Sequence, residues 1–283
     1  MAPLSAVLRS VAGTPSQETR DRAALESTSD QECPTCEGWK WVHRLNEQGY
    51  WPKRGEPDFG KHDPCPDCTA SDQVAQATAR TARMYVDAGF DGVVVKRIDV
   101  FDTTRQQNMK ARQSAELAVR SIVEWAGGGG PRFLMLTGGT GVGKTHLSEG
   151  AAAILIERKT QVVYVIWADF VFGFREDMDG RHRHMARLRD AEYLILDEIL
   201  AARDTGFLGD QLEELLGHRT HHNKPTLLAG NLVAEGETSA VRKQWWIERL
   251  GERFVSRMQD KTMVKVVDMW ECDDMRPMQQ GTI

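Results

Sequence analysis

From Arg132 onward, short and continuously apolar runs alternate with longer stretches in which apolar residues recur at helical spacing. The runs are Phe133–Thr137, Val162–Trp167, Tyr193–Asp197, Thr226–Ala229 and Met263–Val267. Each is too apolar to keep one face in water, and each is short enough to be a strand. The stretches between them predict helices over Lys144–Arg158, Phe170–Met178, a basic segment near Arg183–Arg189, Phe207–His222 and Val241–Met258. Apolar strands alternating with helices imply a five-stranded parallel sheet covered on both faces, an α/β architecture.

Ahead of this region the pattern changes. Residues 1–30 are rich in Ser, Thr, Ala and charge, with one short apolar stretch from Leu4 to Val11. They are expected to be a flexible segment, with a short helix that a partner would order. Residues 31–69 are dense in Gly, Pro and Trp, a composition from which no ordinary core forms. Residues 70–88 read as a helix ended by Gly89, and a linker-like stretch runs to about Thr104. A second helix is expected from about Arg105 to Trp125, broken by Gly127–Gly130 and Pro131.

Composition narrows the class. The 283 residues are 41% hydrophobic and 27% charged, as in a soluble globular protein. No apolar run approaches the roughly 20 residues that span a bilayer, and the N-terminus lacks the apolar region of a secretion signal. A cytoplasmic location without membrane contact is expected. A net charge of −5 excludes a broad basic surface, so any nucleic-acid contact must come from a local patch or an assembled ring.

Between the first apolar run and the helix that follows lies Gly138-Gly139-Thr140-Gly141-Val142-Gly143-Lys144-Thr145, which satisfies G-x-x-x-x-G-K-[ST] at every fixed position. Glycines let backbone N–H groups close around a β-phosphate, and a helix start adds its positive dipole end. Lys144 would meet the β- and γ-phosphates, and the Thr145 hydroxyl would reach Mg²⁺. The run Tyr193-Leu-Ile-Leu-Asp197-Glu198 carries an acidic pair to a strand's C-terminal end, where ligands of such sheets bind. Asp197 would hold Mg²⁺ and Glu198 would polarise the attacking water. Thr226-Leu-Leu-Ala-Gly-Asn231 ends a strand in an amide that would orient that water, or is simply a turn former. Asn223-Lys224-Pro225-Thr226 lacks the Asp of a guanine-reading N-K-x-D stretch, so ATP is the expected nucleotide.

Four of the five cysteines form two C-x-x-C knuckles, Cys33/Cys36 and Cys65/Cys68. In a reducing compartment such pairs mean metal rather than cross-links, and four thiolates suit tetrahedral Zn²⁺. The spacer of roughly 28 residues exceeds the usual 15–20 and holds His43 and His62 as rival ligands. A redox C-x-x-C pair is the alternative, without the βαβ surroundings such a pair needs. Trp39, Trp41, Tyr50 and Trp51 are either a small core for this segment or an exposed docking patch.

In this order and spacing, GGTGVGKTHL, YLILDEIL, KPTLLAGNL and GERFVSRM resemble the helicase loaders of the DnaC/DnaI type and their IstB-type transposition relatives, which are AAA+ ATPases. The resemblance runs from about Ala88 to Met258, roughly two-thirds of the chain. It implies an AAA+ P-loop NTPase core preceded by a small zinc-binding domain. The divisions expected are a flexible segment 1–30, a zinc-binding module 31–69, a helical linker 70–130 and an ATPase domain 131–283.

By the same resemblance Arg257 corresponds to an arginine finger that reaches a neighbouring subunit's ATP, with Arg253 a secondary candidate; the alternative is pairing with Glu248 or Glu252. The basic stretch Arg181-His-Arg183-His-Met-Ala-Arg187 would help line a channel for single-stranded DNA, or is a solvated helix face. Too few residues follow the last strand for a full C-terminal lid, which leaves Arg276 as the stand-in for a second sensor. Glu235–Trp246, with Trp245-Trp246, departs from the pattern as an insertion. The function implied is ATP-dependent loading of a ring-shaped, DnaB-type replicative DNA helicase onto single-stranded DNA, with ATP-dependent self-association. The cysteine module would grip the helicase. The alternatives are an IstB-type transposition helper or an ATP-binding adaptor without significant turnover.

Overall fold

A computed structural model describes residues 33–37, 39–50, 52–176, 180–199, 206–231, 241, 244, 247–248, 250–257 and 259–276. The expected flexible segment 1–30, Trp51 and most of Glu235–Trp246, including Trp245-Trp246, lie outside the described residues. The chain divides into two compact units, one ending at Arg83 and the other taking in residues from Met84 onward.

In the first unit, strands β1 (Trp41–His43) and β2 (His62–Pro64) pair antiparallel, with Trp41 opposite Pro64 and His43 opposite His62. Helix α1 (Pro66–Ala88) starts here. Among this unit's described residues only Cys36 and Cys65 are buried. Trp39 is 80% exposed, Trp41 56% and Tyr50 72%, so these rings form no core.

The second unit is the α/β sheet. Helix α2 (Met109–Ala126) leads into β3 (Phe133–Thr137), α3 (Lys144–Glu157), β4 (Val162–Ile166), α4 (Trp167–Glu176), α5 (Arg181–Asp190), β5 (Tyr193–Asp197), α6 (Gly206–His221), β6 (Thr226–Gly230), α7 (Glu252–Arg257) and β7 (Val264–Asp268). The strand order is β4-β5-β6-β3-β7, and every adjacent pair is parallel. Successive residues divide between two cores, as a period of two requires. Leu134, Leu136, Ile195, Leu227 and Ala229 join one face with α2 and α3, while Phe133, Met135, Leu194, Leu196 and Leu228 join the other. Because α2 buries Ala115, Val119 and Ile122 in the first of these cores, the compact unit includes much of the segment set apart as a linker.

Three of the boundaries that differ from expectation have a clear local reason. The expected helix from Arg105 is cut by two capping side chains. Asp102 accepts from the Thr104 N–H and closes a 3₁₀ turn over Thr103–Arg105, and Asn108 accepts from the Ala111 N–H and starts α2 afresh. Trp167 opens α4 instead of ending β4, its ring 1% exposed. Gly251, at φ +81°, interrupts the expected Val241–Met258 helix, so α7 begins at Glu252.

A buried polar joint in this unit is made by Arg219, fully buried on α6. Its guanidinium donates to Thr226 Oγ1 (2.8 Å) and to the carbonyls of Leu188 (2.8 Å), Ala191 (2.9 Å) and Pro225 (2.7 Å). It therefore ties the end of α5 and the entries of β5 and β6 to α6. Burial lowers its pKa to about 10, which still leaves it charged at neutral pH. Arg219→Leu would orphan several buried carbonyls and is expected to cost about 3 kcal/mol or more. Urea unfolding measures this, and an unchanged midpoint would refute the joint.

Candidate nucleotide and metal sites

The sheet brings three chain turns together at its carboxyl end. Thr137 lies opposite Gly230 on β6, and Ile166 opposite Asp197 on β5. Since β6 stands between β3 and β5, Asn231 falls between the glycine loop and the acidic pair. The loop is shaped for a ligand. Gly143 is the N-cap of α3 at φ +96°, with no side chain capping the helix, whereas α2 is closed by Asn108. The first N–H groups of α3 are thus left for an anion. A Cβ at Gly143 would stand 2.5 Å from Phe101 Cε2, and one at Gly141 (φ +81°) would overlap the Asp274 carboxylate.

Lys144 Nζ is buried at the centre. It donates to the carbonyls of Gly138 (3.0 Å) and Gly139 (2.7 Å) and to Asn231 Oδ1 (2.7 Å). Asn231 Nδ2 donates in turn to Thr140 Oγ1 at 3.2 Å. Burial lowers the lysine's pKa, and the nearby charges of Asp197 and Glu198 oppose that shift. Asp197 is 1% exposed, with one carboxylate oxygen accepting from the Glu198 N–H (2.8 Å) and the other from the Tyr164 hydroxyl (2.9 Å). Glu198 is exposed and holds φ +52°, a left-handed conformation that costs a non-glycine residue on the order of 1 kcal/mol or more.

These groups surround one cavity of about 610 Å³, within the size range of small-molecule sites. Thr140, Gly141, Gly143, Lys144 and Thr145 line it, together with Asp197, Glu198 and Asn231. Gly138 and Gly139 contribute through their carbonyls, and Val142 is buried in the core beneath. The open glycine cradle, the lysine, the Thr145 hydroxyl and the Asp197 carboxylate form a donor set that fits a nucleotide triphosphate with Mg²⁺. Arg253 and Arg257 are not brought to this cavity. Both are exposed on α7, and neither guanidinium has a hydrogen-bond or ion-pair partner among the described residues, so the alternative pairing with Glu248 or Glu252 is not formed.

Sequence reasoning missed Lys96, His146 and Met275, which line the cavity, and Tyr164, which holds Asp197. Met275 arrives on a strap that follows β7, where the Met269 N–H donates to Thr137 O (2.7 Å) and the Met275 N–H to Gly141 O (2.9 Å). Arg276, which also lines the cavity, is held by Asp274 through Nε (3.0 Å) and Nη2 (2.6 Å). That pairing lowers the Asp274 carboxyl to about 2. No local sequence signal marks the strap residues. The signal for Tyr164 was a phenol in a buried strand, which needs a polar partner.

The sulfur atoms of Cys33, Cys36, Cys65 and Cys68 all lie within 4.8 Å of one another. Cys33 and Cys65 are 3.8 Å apart, Cys36 and Cys68 3.4 Å. Four thiolates at the Zn–S length of about 2.3 Å would form a tetrahedron with edges of about 3.8 Å, so the cluster has the dimensions of a zinc site. The Lys40 N–H donates to Cys36 Sγ at 3.3 Å. Backbone N–H groups of Thr35 and Cys36 bring the Cys33 thiol down to about 7, while neighbouring sulfurs push Cys68 up to about 12. His43 and His62 are outside the group and pack on each other, with ring centres 4.4 Å apart.

On α5, two of the three arginines expected to meet DNA are engaged within the protein. Arg181 Nε donates to Phe174 O at 2.9 Å, and Arg187 Nη2 to Asp87 O at 2.7 Å. Arg183 is exposed and has no partner among the described residues.

An open glycine cradle, a buried lysine and an acidic strand end define a P-loop nucleotide-binding protein. A model of the family described as IstB-like ATP binding protein matches residues 69–223, and the chain belongs to that family. Its core is α/β with a five-stranded parallel sheet, and a four-cysteine module precedes it. The chromosomal replication initiator protein DnaA of Zymomonas mobilis is 30% identical over 159 residues, which is 53% of this chain and 30% of that protein. The chain thus spans less than a third of that relative. Among solved structures, the DnaC helicase loader matches with a TM-score of 0.49 and 20% identity, over 60% of this chain and 96% of that one. DnaI matches at 0.46 and 17%, over 64% and 90%. Among the described residues no helix is long and apolar enough to cross a membrane.

Two outcomes test this geometry. Glu198→Gly relieves a left-handed backbone and is expected to be about 1 kcal/mol more stable than Glu198→Ala in thermal unfolding; equal stabilities would contradict the strain. A strong chelator, or Cys36→Ser, is expected to release one equivalent of zinc and abolish hydrogen-exchange protection around residues 33–68 while leaving the sheet protected. Protection that survives metal loss would show that the thiols do not need the ion.

Proposed function

We propose that this chain is an ATPase that loads a ring-shaped replicative DNA helicase onto single-stranded DNA. The observation that carries the reading is the convergence of Lys144, Thr145, Asp197, Glu198 and Asn231 on one cavity in a chain of an ATP-binding family.

When ATP and Mg²⁺ are bound, the ion neutralises phosphate charge as the γ-phosphoryl group transfers. The chain's own residues do the rest. Lys144 would exchange the Gly138 and Gly139 carbonyls for the β- and γ-phosphates, while Thr145 and Asp197 hold the ion. Glu198, exposed at the mouth of the site, takes a proton from water as the water oxygen attacks the γ-phosphorus and the bond to the β–γ bridging oxygen breaks. Asn231, already bonded to Lys144, orients that water.

Arg257, whose guanidinium has no partner among the described residues, or Arg253 one helical turn before it, completes the site of an adjoining copy. Nucleotide state would thereby govern self-association. The four cysteines hold structural Zn²⁺, and the exposed Trp39, Trp41 and Tyr50 of that module suit contact with the helicase better than a hidden core. Arg183 is the strongest of the three candidates for touching DNA, with Arg181 and Arg187 secondary. Arg276 would act as a second sensor by leaving Asp274. The name of the Zymomonas relative, a chromosomal replication initiator, supports a replication role. The family description favours a second reading, an IstB-type transposition helper using the same site.

Glu198→Gln is expected to lower ATP turnover by about 100-fold or more while ATP still binds. Lys144→Ala should still retain helicase in co-purification but fail to deliver it to DNA. Capture of a transposase instead of a helicase would select the second reading. Absence of ATP cleavage by the wild-type chain, with helicase and single-stranded DNA supplied, would overturn both.

A further inference from the structure

Strand β4 reads Val-Val-Tyr-Val-Ile, and Tyr164 is its one polar side chain. Parallel pairing sets Tyr164 beside Ile195 and Ile166 beside Asp197, so the tyrosine and the aspartate share a face, two residues apart along the sheet. That offset is within the length of a phenol, and the hydroxyl reaches Asp197 Oδ2 at 2.9 Å. The Tyr164 ring is buried, with the Phe90 ring packed on it at 4.6 Å between centroids. Asp197 Oδ1 is occupied by the Glu198 N–H at 2.8 Å. Both oxygens of the carboxylate are therefore anchored, one by the chain immediately following it and one by the neighbouring strand.

We infer that Tyr164 is a positioning residue for the metal-facing carboxylate, its hydroxyl fixing Asp197 in the orientation that offers its free lone pairs to the divalent cation of the bound nucleotide. The inference rests on reading the cavity as a nucleotide site. It deepens that reading by assigning the aspartate's orientation to a residue outside every motif. Side chains that hydrogen-bond metal-ligating carboxylates tune ion affinity without touching the ion.

Tyr164→Phe removes one oxygen and keeps the ring against Phe90. The probe is Mn²⁺, titrated by electron paramagnetic resonance into the full chain with a non-hydrolysable ATP analogue. Mn²⁺ affinity is expected to fall about tenfold. Analogue affinity in EDTA and the melting temperature are expected to stay at wild-type values. Half-saturating Mg²⁺ for turnover should rise by a similar factor, with most of kcat recovered at saturating Mg²⁺. In an Asp197→Asn background the same substitution should add nothing.

Equal Mn²⁺ affinity in wild type and Tyr164→Phe overturns the inference. So does a loss of analogue affinity in EDTA that accompanies a lower melting temperature, because that pattern belongs to a packing residue. A wild-type chain that takes up no Mn²⁺ with the analogue overturns the nucleotide-site reading itself.

Discussion

A buried ammonium must find acceptors, and the way Lys144 finds them organises the carboxyl end of the sheet. Its three short contacts, to Gly138 O, Gly139 O and Asn231 Oδ1, draw the turn after β3 and the turn after β6 onto one charge. The neighbouring carboxylates of Asp197 and Glu198 offset part of the cost of burying that charge. Each of these groups lies where a parallel strand ends. The whole arrangement therefore depends on β6 being inserted between β3 and β5. If β3 and β5 were adjacent, Asn231 would have no place at the lysine.

The same constraint gives the site its two kinds of residue. Those that present backbone N–H groups to the cavity are contiguous in the chain, because a loop and a helix start suffice to place them, while the charges of Lys144 and of Asp197 and Glu198 come from separate strand ends. Those that hold these groups in position come from elsewhere. Tyr164 comes from the adjacent strand, Phe101 fills the space behind Gly143, and Asp274 covers Gly141 from the strap after β7. No side chain caps the first N–H groups of α3, an omission that α2 does not share.

The four-cysteine unit solves a different problem. Its described residues bury no apolar side chain other than the cysteines Cys36 and Cys65, and its aromatic rings face outward. A unit of this size lacks the apolar area that offsets the entropy of ordering its loops. Four thiols within 4.8 Å of one another have the dimensions of a site in which metal–ligand bonds would take the place of an apolar core.

Much of this was legible in the residues alone. Strands β3 and β5 begin and end where the apolar runs do, because a strand buried on both faces has no polar positions to blur its limits. The glycine loop, the acidic pair, Asn231 and the cysteine knuckles were legible because their chemistry needs fixed residue types at short spacing. Helix ends were less so, since Asp102, Asn108 and Gly251 act through hydrogen bonds or backbone angles that periodicity does not register. Tertiary structure alone decided that Tyr164 meets Asp197, that Lys96, His146 and Met275 line the cavity, and that Arg181 and Arg187 turn to carbonyls within the protein while the guanidiniums of Arg183, Arg253 and Arg257 find no partner among the described residues. The reason is distance along the chain: local sequence specifies what a segment can form, whereas strand order and register determine which segments become neighbours.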